Sequence, residues 1–120
     1  MKPLSAAELK IAEKIWLKQG ISATALYTEC VEEYGWKKST FYTLLKRMRE
    51  KDLLGDSMTE LRMKISESEY EQRKLSGIIS QDFHGSLPSF ISAYVKENKL
   101  SENDRKELID LLEGLKESES

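Results

Sequence analysis

Residues Gly35 to Leu54 read GWKKSTFYTLLKRMREKDLL, and the division of that stretch into two faces governs the reading of everything around it. Phe41, Leu44, Leu45 and Met48 fall at i, i+3, i+4 and i+7, the spacing that gathers side chains on one side of an α-helix. That side is expected to be buried. Lys37, Lys38, Ser39, Thr40, Tyr42, Thr43, Lys46, Arg47, Arg49 and Lys51 are left over, so the outward surface is cationic and rich in hydroxyls. A helix divided in this way can dock on a core and offer hydrogen-bond donors to a polyanion.

Upstream of Gly35 the pattern predicts two further helices. Ser5 and Glu8 have the S-x-x-E spacing of a capping box, and Leu9, Ala12, Ile15 and Trp16 then repeat at helical spacing until Gly20. Trp16 is in register with these positions and is expected in the core. Ser22 is a candidate N-cap for a second helix from Ala23 to about Tyr34, with Leu26, Tyr27, Cys30, Val31 and Tyr34 on its inner face. Cys30 has no neighbouring His or basic residue in sequence and reads as a small buried side chain, not a nucleophile. Two helices joined by a tight turn, the second basic and hydroxyl-rich outside, meet the requirements of a helix-turn-helix on double-stranded DNA.

Downstream, Gly55 to Ile65 reads GDSMTELRMKI. Leu61, Met63 and Ile65 alternate with Arg62 and Lys64, a period of two that predicts a strand with one face buried. A short β-hairpin turning near Thr59 and Glu60, with Arg62 and Lys64 outward, would make the domain a winged helix.

Three more helices are expected beyond it. Ser66 and Glu69 open one that runs toward Phe83 with Tyr70, Leu75, Ile78, Ile79 and Phe83 as its apolar positions. Ser86 caps another bearing Leu87, Phe90, Ile91, Tyr94 and Val95, with Pro88 in its first turn. Ser101 and Asp104 open the last, with Leu108, Leu111, Leu112 and Leu115. About 50 residues so sparsely apolar do not make an independent domain. A second copy of the same segment is the simplest cover, the alternative being that these helices fold back on the N-terminal domain. The expected dimerisation residues are Ile78, Ile79, Phe83, Leu87, Phe90, Ile91, Tyr94, Leu108, Leu111, Leu112 and Leu115.

Composition agrees with a two-part chain. Of 120 residues one third are charged, and the net charge is −2. Residues 1–66 hold 12 Lys+Arg against 9 Asp+Glu, and residues 67–120 hold 7 against 12, so the basic half suits phosphates and the acidic half does not. Cys30 and His84 stand alone of their kinds, which excludes an internal disulfide and a Cys/His metal cluster; no metal and no cofactor is expected. No apolar run approaches the roughly 20 residues that span a bilayer, and no secretion signal is visible. A cytoplasmic protein with no membrane partner is expected. With no paired His, no nucleophile beside a base and no Gly-rich phosphate loop, an enzyme is not expected.

The segments LSAAELKIAEKIW, GISATALYTEC, GWKKSTFYTLLKRMREKDL and FHGSLPSFISAYVKENKLSENDRKELIDLL, in that order, resemble the penicillinase-repressor family of winged-helix regulators, the BlaI, MecI and CopY type. The most specific parts are Gly35-Trp36 with Ser39-Thr40, Thr43-Leu44-Leu45 and Arg47, and the Phe83–Leu87 junction followed by Leu100-Ser101. The resemblance implies a homodimer on a dyad operator, repressing genes for β-lactam resistance or, in a related branch, copper handling. It assigns Ser39, Thr40, Tyr42 and Thr43 to the DNA-facing positions of the recognition helix, followed by Lys46 and Arg47, and Ser22 and Thr24 to a phosphate approach. In the β-lactam branch a sensor protease cuts the repressor, and the matching bond here is Ala93 to Tyr94. Lys37 stands where the family often has Ser, Tyr42 where Lys or Arg is frequent, and Asp56 and Glu60 lie in a shorter wing. The cysteines of the copper branch are absent.

The expectation is therefore a mostly α chain with a small β-hairpin: a winged helix-turn-helix over residues 1–66 and a three-helix dimerisation segment over 67–120. Phosphate contacts would come from Lys37, Lys38, Lys46, Arg47, Arg62 and Lys64, and base reading from Ser39, Thr40, Tyr42 and Thr43. The rival expectation, motivated by the acidic wing, is a winged-helix protein-interaction module without sequence-specific DNA binding.

Overall fold

A computed structural model describes residues 1–119. Six helices follow one another along it: α1 (Ala6–Leu17), α2 (Ala23–Tyr34), α3 (Lys38–Glu50), α4 (Glu67–Asp82), α5 (Leu87–Glu97) and α6 (Glu102–Glu119). The predicted starts are visible as hydrogen bonds. Ser5 and Glu8 make a reciprocal capping box at α1, Ser22 Oγ accepts from Ala25 N at 3.1 Å, and Ser86 and Ser101 do the same for Ser89 N and Asp104 N at 3.2 and 3.0 Å. At α4, Ser66 Oγ accepts from Glu69 N at 3.1 Å, while the Glu69 carboxylate takes Arg73 at 2.7 Å. Gly35 ends α2 with φ 68°, a left-handed turn that a side chain would strain.

The chain divides into two compact units, Met1–Gly77 and Ile78–Ser120. In the first, Ile11, Ala12 and Ile15 of α1, Ala23, Leu26 and Cys30 of α2, and Phe41, Leu44, Leu45 and Met48 of α3 form one core with Leu53, Leu54, Leu61, Met63 and Ile65. Each large side chain so buried contributes roughly 2 kcal/mol. Four of them outweigh the weak helix propensity of Ser39, Thr40 and Thr43 in α3. Val31, expected on the inner face of α2, is 37% exposed: the turn that carries Ala23, Leu26 and Cys30 inward leaves it at the edge.

The first turn of α4 is part of this core. Tyr70 is fully buried, its hydroxyl accepts from Leu4 N at 2.8 Å, and its ring lies 5.8 Å from that of Trp16. Trp16 is half-buried, and its indole N–H donates to Ile65 O at 2.9 Å. Tyr70 therefore anchors the start of α4 in the core of the first unit.

Between α3 and α4 the expected hairpin is reduced to one isolated antiparallel bridge, Leu54 to Met63. Gly55 N donates to Arg62 O at 3.0 Å and Lys64 N to Leu53 O at 2.9 Å beside it. The alternation behind the expectation is real, with Leu61, Met63 and Ile65 buried and Arg62 and Lys64 exposed. The pairing stops because the segment is shared: Gly20 N donates to Leu61 O, and Leu61 N to Ile21 O, both at 2.8 Å. No regular strand forms among the described residues.

The second unit has a different character. No residue after Tyr70 is buried among those described. Phe83 and Phe90 meet edge to face at 5.4 Å, and Ile78, Leu87, Tyr94, Val95, Leu111 and Leu112 are between 37% and 59% exposed.

Candidate nucleic-acid interface

Because the apolar stripe of α3 is spent on the core, its other residues are set outward. Lys37, Lys38, Ser39, Thr40, Thr43, Lys46 and Arg47 are all exposed. Ser39, Thr40, Thr43 and Arg47 line, with Leu44, a shallow depression of about 260 Å3. Two threonine hydroxyls, a serine hydroxyl and a guanidinium beside the edge of an apolar side chain can donate to base acceptors and pack on a thymine methyl. Lys37 stands at the N-cap of α3 without a side-chain hydrogen bond, since an ammonium cannot accept from the backbone N–H groups, which are left to favour an anion.

Tyr42 sits differently. It is half-buried, 5.1 Å from the Phe41 ring and 6.4 Å from that of Tyr27. Its ring braces α3 against α2. Thr24 is exposed and Ser22 partly so. Since Ser22 Oγ is the acceptor in its cap, its O–H remains a donor. At the turn between α2 and α3, Tyr34 and Trp36 stack at 4.8 Å and 30°, and Lys10 lies 4.8 Å over the Tyr34 ring.

The two expected wing cations have other neighbours. Lys64 Nζ donates to Asp52 Oδ1 at 2.6 Å, which holds the Asp52 carboxyl below and the Lys64 ammonium above their usual ranges. Asp52 is itself in the left-handed region at φ 60°. The Arg62 guanidinium lies over Gly20, where an added Cβ would stand 3.1 Å from Nη2. Neither side chain extends straight from the loop.

Arg49 and Lys51, read above as part of the outward charge, turn inward. Arg49 Nε donates to Gly55 O at 2.9 Å. Lys51 binds Glu8 and donates to Pro3 O at 3.0 Å. A signal for this was present in the sequence. Lys51 lies three residues after Met48 and Arg49 four after Leu45, both in phase with the buried stripe. Cys30 has its thiol pushed up to about 11 by burial, and among the described residues no group of acidic, His or Cys side chains could hold a metal ion. No helix among them is long and apolar enough to cross a membrane.

Residues 4–114 match the family described as penicillinase repressor. The chain belongs to that family. The penicillinase repressor of Bacillus licheniformis is 27% identical over 115 residues, covering 92% of this chain and 89% of that protein. The methicillin resistance regulatory proteins MecI of Staphylococcus aureus (strain N315) and Mammaliicoccus sciuri are each 23% identical over 113 residues, covering 91% of this chain and 92% of theirs. Penicillinase repressors are regulators of transcription and not enzymes. The match takes in both units, so the helices after Tyr70 belong to the family pattern as much as α3 does.

Proposed function

We propose that this penicillinase-repressor family member is a cytoplasmic homodimeric repressor that binds the two halves of a dyad operator in double-stranded DNA, with β-lactam resistance genes under its control. The observation that carries the DNA reading is the division of α3: four side chains buried, and Ser39, Thr40, Thr43 and Arg47 gathered around one outward depression. Lys37, Lys38, Lys46 and Arg47 would supply the salt-dependent share of affinity, and Ser22 and Thr24 would meet phosphate from α2. The dimer is supported by the apolar surface that α5 and α6 leave open, which a two-fold copy would bury on both chains. Resistance genes as the target follow from the names of the relatives.

Inactivation by a sensor protease at Ala93–Tyr94 completes the proposal. Both residues are exposed and lie inside α5. A protease needs extended backbone, so this helix must unwind locally. No residue of α5 is buried within a single chain, so opening it there costs little, whereas in the proposed dimer the partner copy must first part from it.

Selection of bound sequences from a random duplex pool, with the mass of the free protein recorded alongside, tests the proposal. Enrichment of a dyad by a dimer is the expected result. A dimer that enriches nothing at low salt overturns it and favours the protein-interaction reading, for which the acidic Asp56 and Glu60 and the Lys64–Asp52 pair speak.

A further inference from the structure

We infer that Arg49 is a positioning residue for the DNA interface: it ties the recognition helix α3 to the loop 55–58 and, through that loop, to the N-terminus of α2. The inference rests on the DNA reading above for its consequence, but the tie itself does not. Arg49 is half-buried on α3. Its Nε donates to Gly55 O at 2.9 Å, its Nη2 donates to Ser57 O at 3.4 Å, and the same nitrogen lies 2.7 Å from Met58 Sδ. One residue further, Met58 O accepts from Ala23 N at 2.8 Å. Ala23 is the first residue of α2, next to the cap Ser22.

The chain of contacts therefore runs from α3 through Arg49 to the loop, and from the loop to the start of α2. Both ends are elements that face DNA in the proposal: Thr40 and Thr43 on α3, Ser22 and Thr24 at α2. Besides Arg49, loop 55–58 is held by Gly55 N donating to Arg62 O at 3.0 Å and by Ser57 Oγ accepting from Glu60 N at 3.1 Å. Gly55, Asp56 and Ser57 bury no apolar side chain, Met58 is 37% exposed, and no regular strand runs through it. A guanidinium suits the task because its rigid fork bonds two carbonyls at once, which an ammonium on a flexible stem does not reproduce. A cation whose donors are aimed at main-chain oxygens is badly placed to neutralise a phosphate as well. Arg49 thus acts on specificity by holding two reading elements at one spacing, and contributes little to the electrostatic share of binding.

The test uses the full-length chain with Arg49→Lys and Arg49→Gln, read out in two ways. Hydrogen exchange at the Ala23 amide reports the tie; affinity for the selected operator and for a scrambled duplex, across a salt series, reports its consequence. For Arg49→Lys, which keeps the charge, we expect Ala23 exchange to quicken and operator affinity to fall, each about tenfold, the scale of one lost charge-assisted hydrogen bond. Affinity for the scrambled duplex and the salt slope should stay as in the wild type. Two results overturn the inference. One is unchanged Ala23 exchange in both variants. The other is an Arg49→Lys chain that binds like wild type while Arg49→Gln weakens both duplexes alike and lowers the salt slope by about 0.9, the mark of a phosphate contact. Failure of the wild-type chain to bind any duplex overturns the DNA reading instead, and exchange at Ala23 then decides the tie alone.

Discussion

Glu8 and Lys51, 43 residues apart, form a close ion pair that joins the first turn of α1 to the residue capping the C-terminus of α3. Glu8 is 1% exposed and is the one buried charged residue among those described. Its second oxygen takes Lys51 Nζ at 3.0 Å, and Ser5 N donates to its first at 3.1 Å. Lys51→Met would leave that carboxylate buried with backbone and Ser5 as its partners. A loss of about 3 kcal/mol is expected from breaking such a pair, measured as a shift in the urea midpoint at constant slope. Glu8→Gln should cost less, because the Lys51 side chain is 20% exposed and can turn to water. Equal losses would show that the buried carboxylate is not the costly member.

Acid should act through the same group. Burial pushes the Glu8 carboxyl up, but the bonds from Lys51 and Ser5 outweigh it and the net position is below the ordinary 4.5. A carboxyl lowered by folding binds protons more readily when unfolded, so its contribution is present above pH 4.5 and is lost as pH falls through the folded value. The wild type should therefore lose more stability than Glu8→Gln between pH 5 and about 3. Parallel curves for the two proteins over that range would remove Glu8 as the source.

In the proposed repressor the outward residues of α3 would divide by job. Lys46→Ala should weaken every duplex about alike and lower the salt slope by about 0.9. Thr43→Ala, beside the depression, should leave the slope unchanged and relax preference at one operator position by about 1 kcal/mol. Identical behaviour of the two variants across operators would abolish this division.

Lys64 provides a contrast on the adjoining loop. Paired with Asp52 at 2.6 Å, it has its charge satisfied within the protein. Removing it should lower the salt slope far less than removing Lys46, a difference accessible by titrating one duplex at several salt concentrations. A full unit lost with Lys64→Ala would mean that the pair opens on DNA.

Leu112 of α6 is 51% exposed, and burying a leucine at a two-fold interface contributes on each chain. In the proposed dimer a charge there, Leu112→Glu, should halve the mass in solution and reduce helix content, while the first unit keeps its unfolding transition. A variant that remains dimeric would exclude α6 from the interface.

Much of this was legible along the chain. Period locates all six helices and a serine marks the start of five of them, α3 being the exception, since an apolar stripe at i, i+3 and i+4 and a cap are local properties of a helix. The outward set Ser39, Thr40, Thr43, Lys46 and Arg47 is legible for the same reason, although the same reading also placed Tyr42, Arg49 and Lys51 outside, which the structure half-buries. What the residues 53–65 do was not local. Their alternation predicts which side chains are buried, yet Leu61 bonds to Gly20 and Ile21, and only the packing of α1 and α2 brings those backbone groups close enough to interrupt a hairpin. Tertiary structure likewise decided the fate of the charges. The phase of Arg49 and Lys51 with the buried stripe hints that they turn inward, but no spacing names a partner for them or for Lys64. Their partners Gly55, Glu8 and Asp52 become partners only when the fold brings them within hydrogen-bond reach. Local sequence determined the elements and their apolar faces, because those depend on spacing; the pairing of charges depends on distance in space, which only the packed core defines.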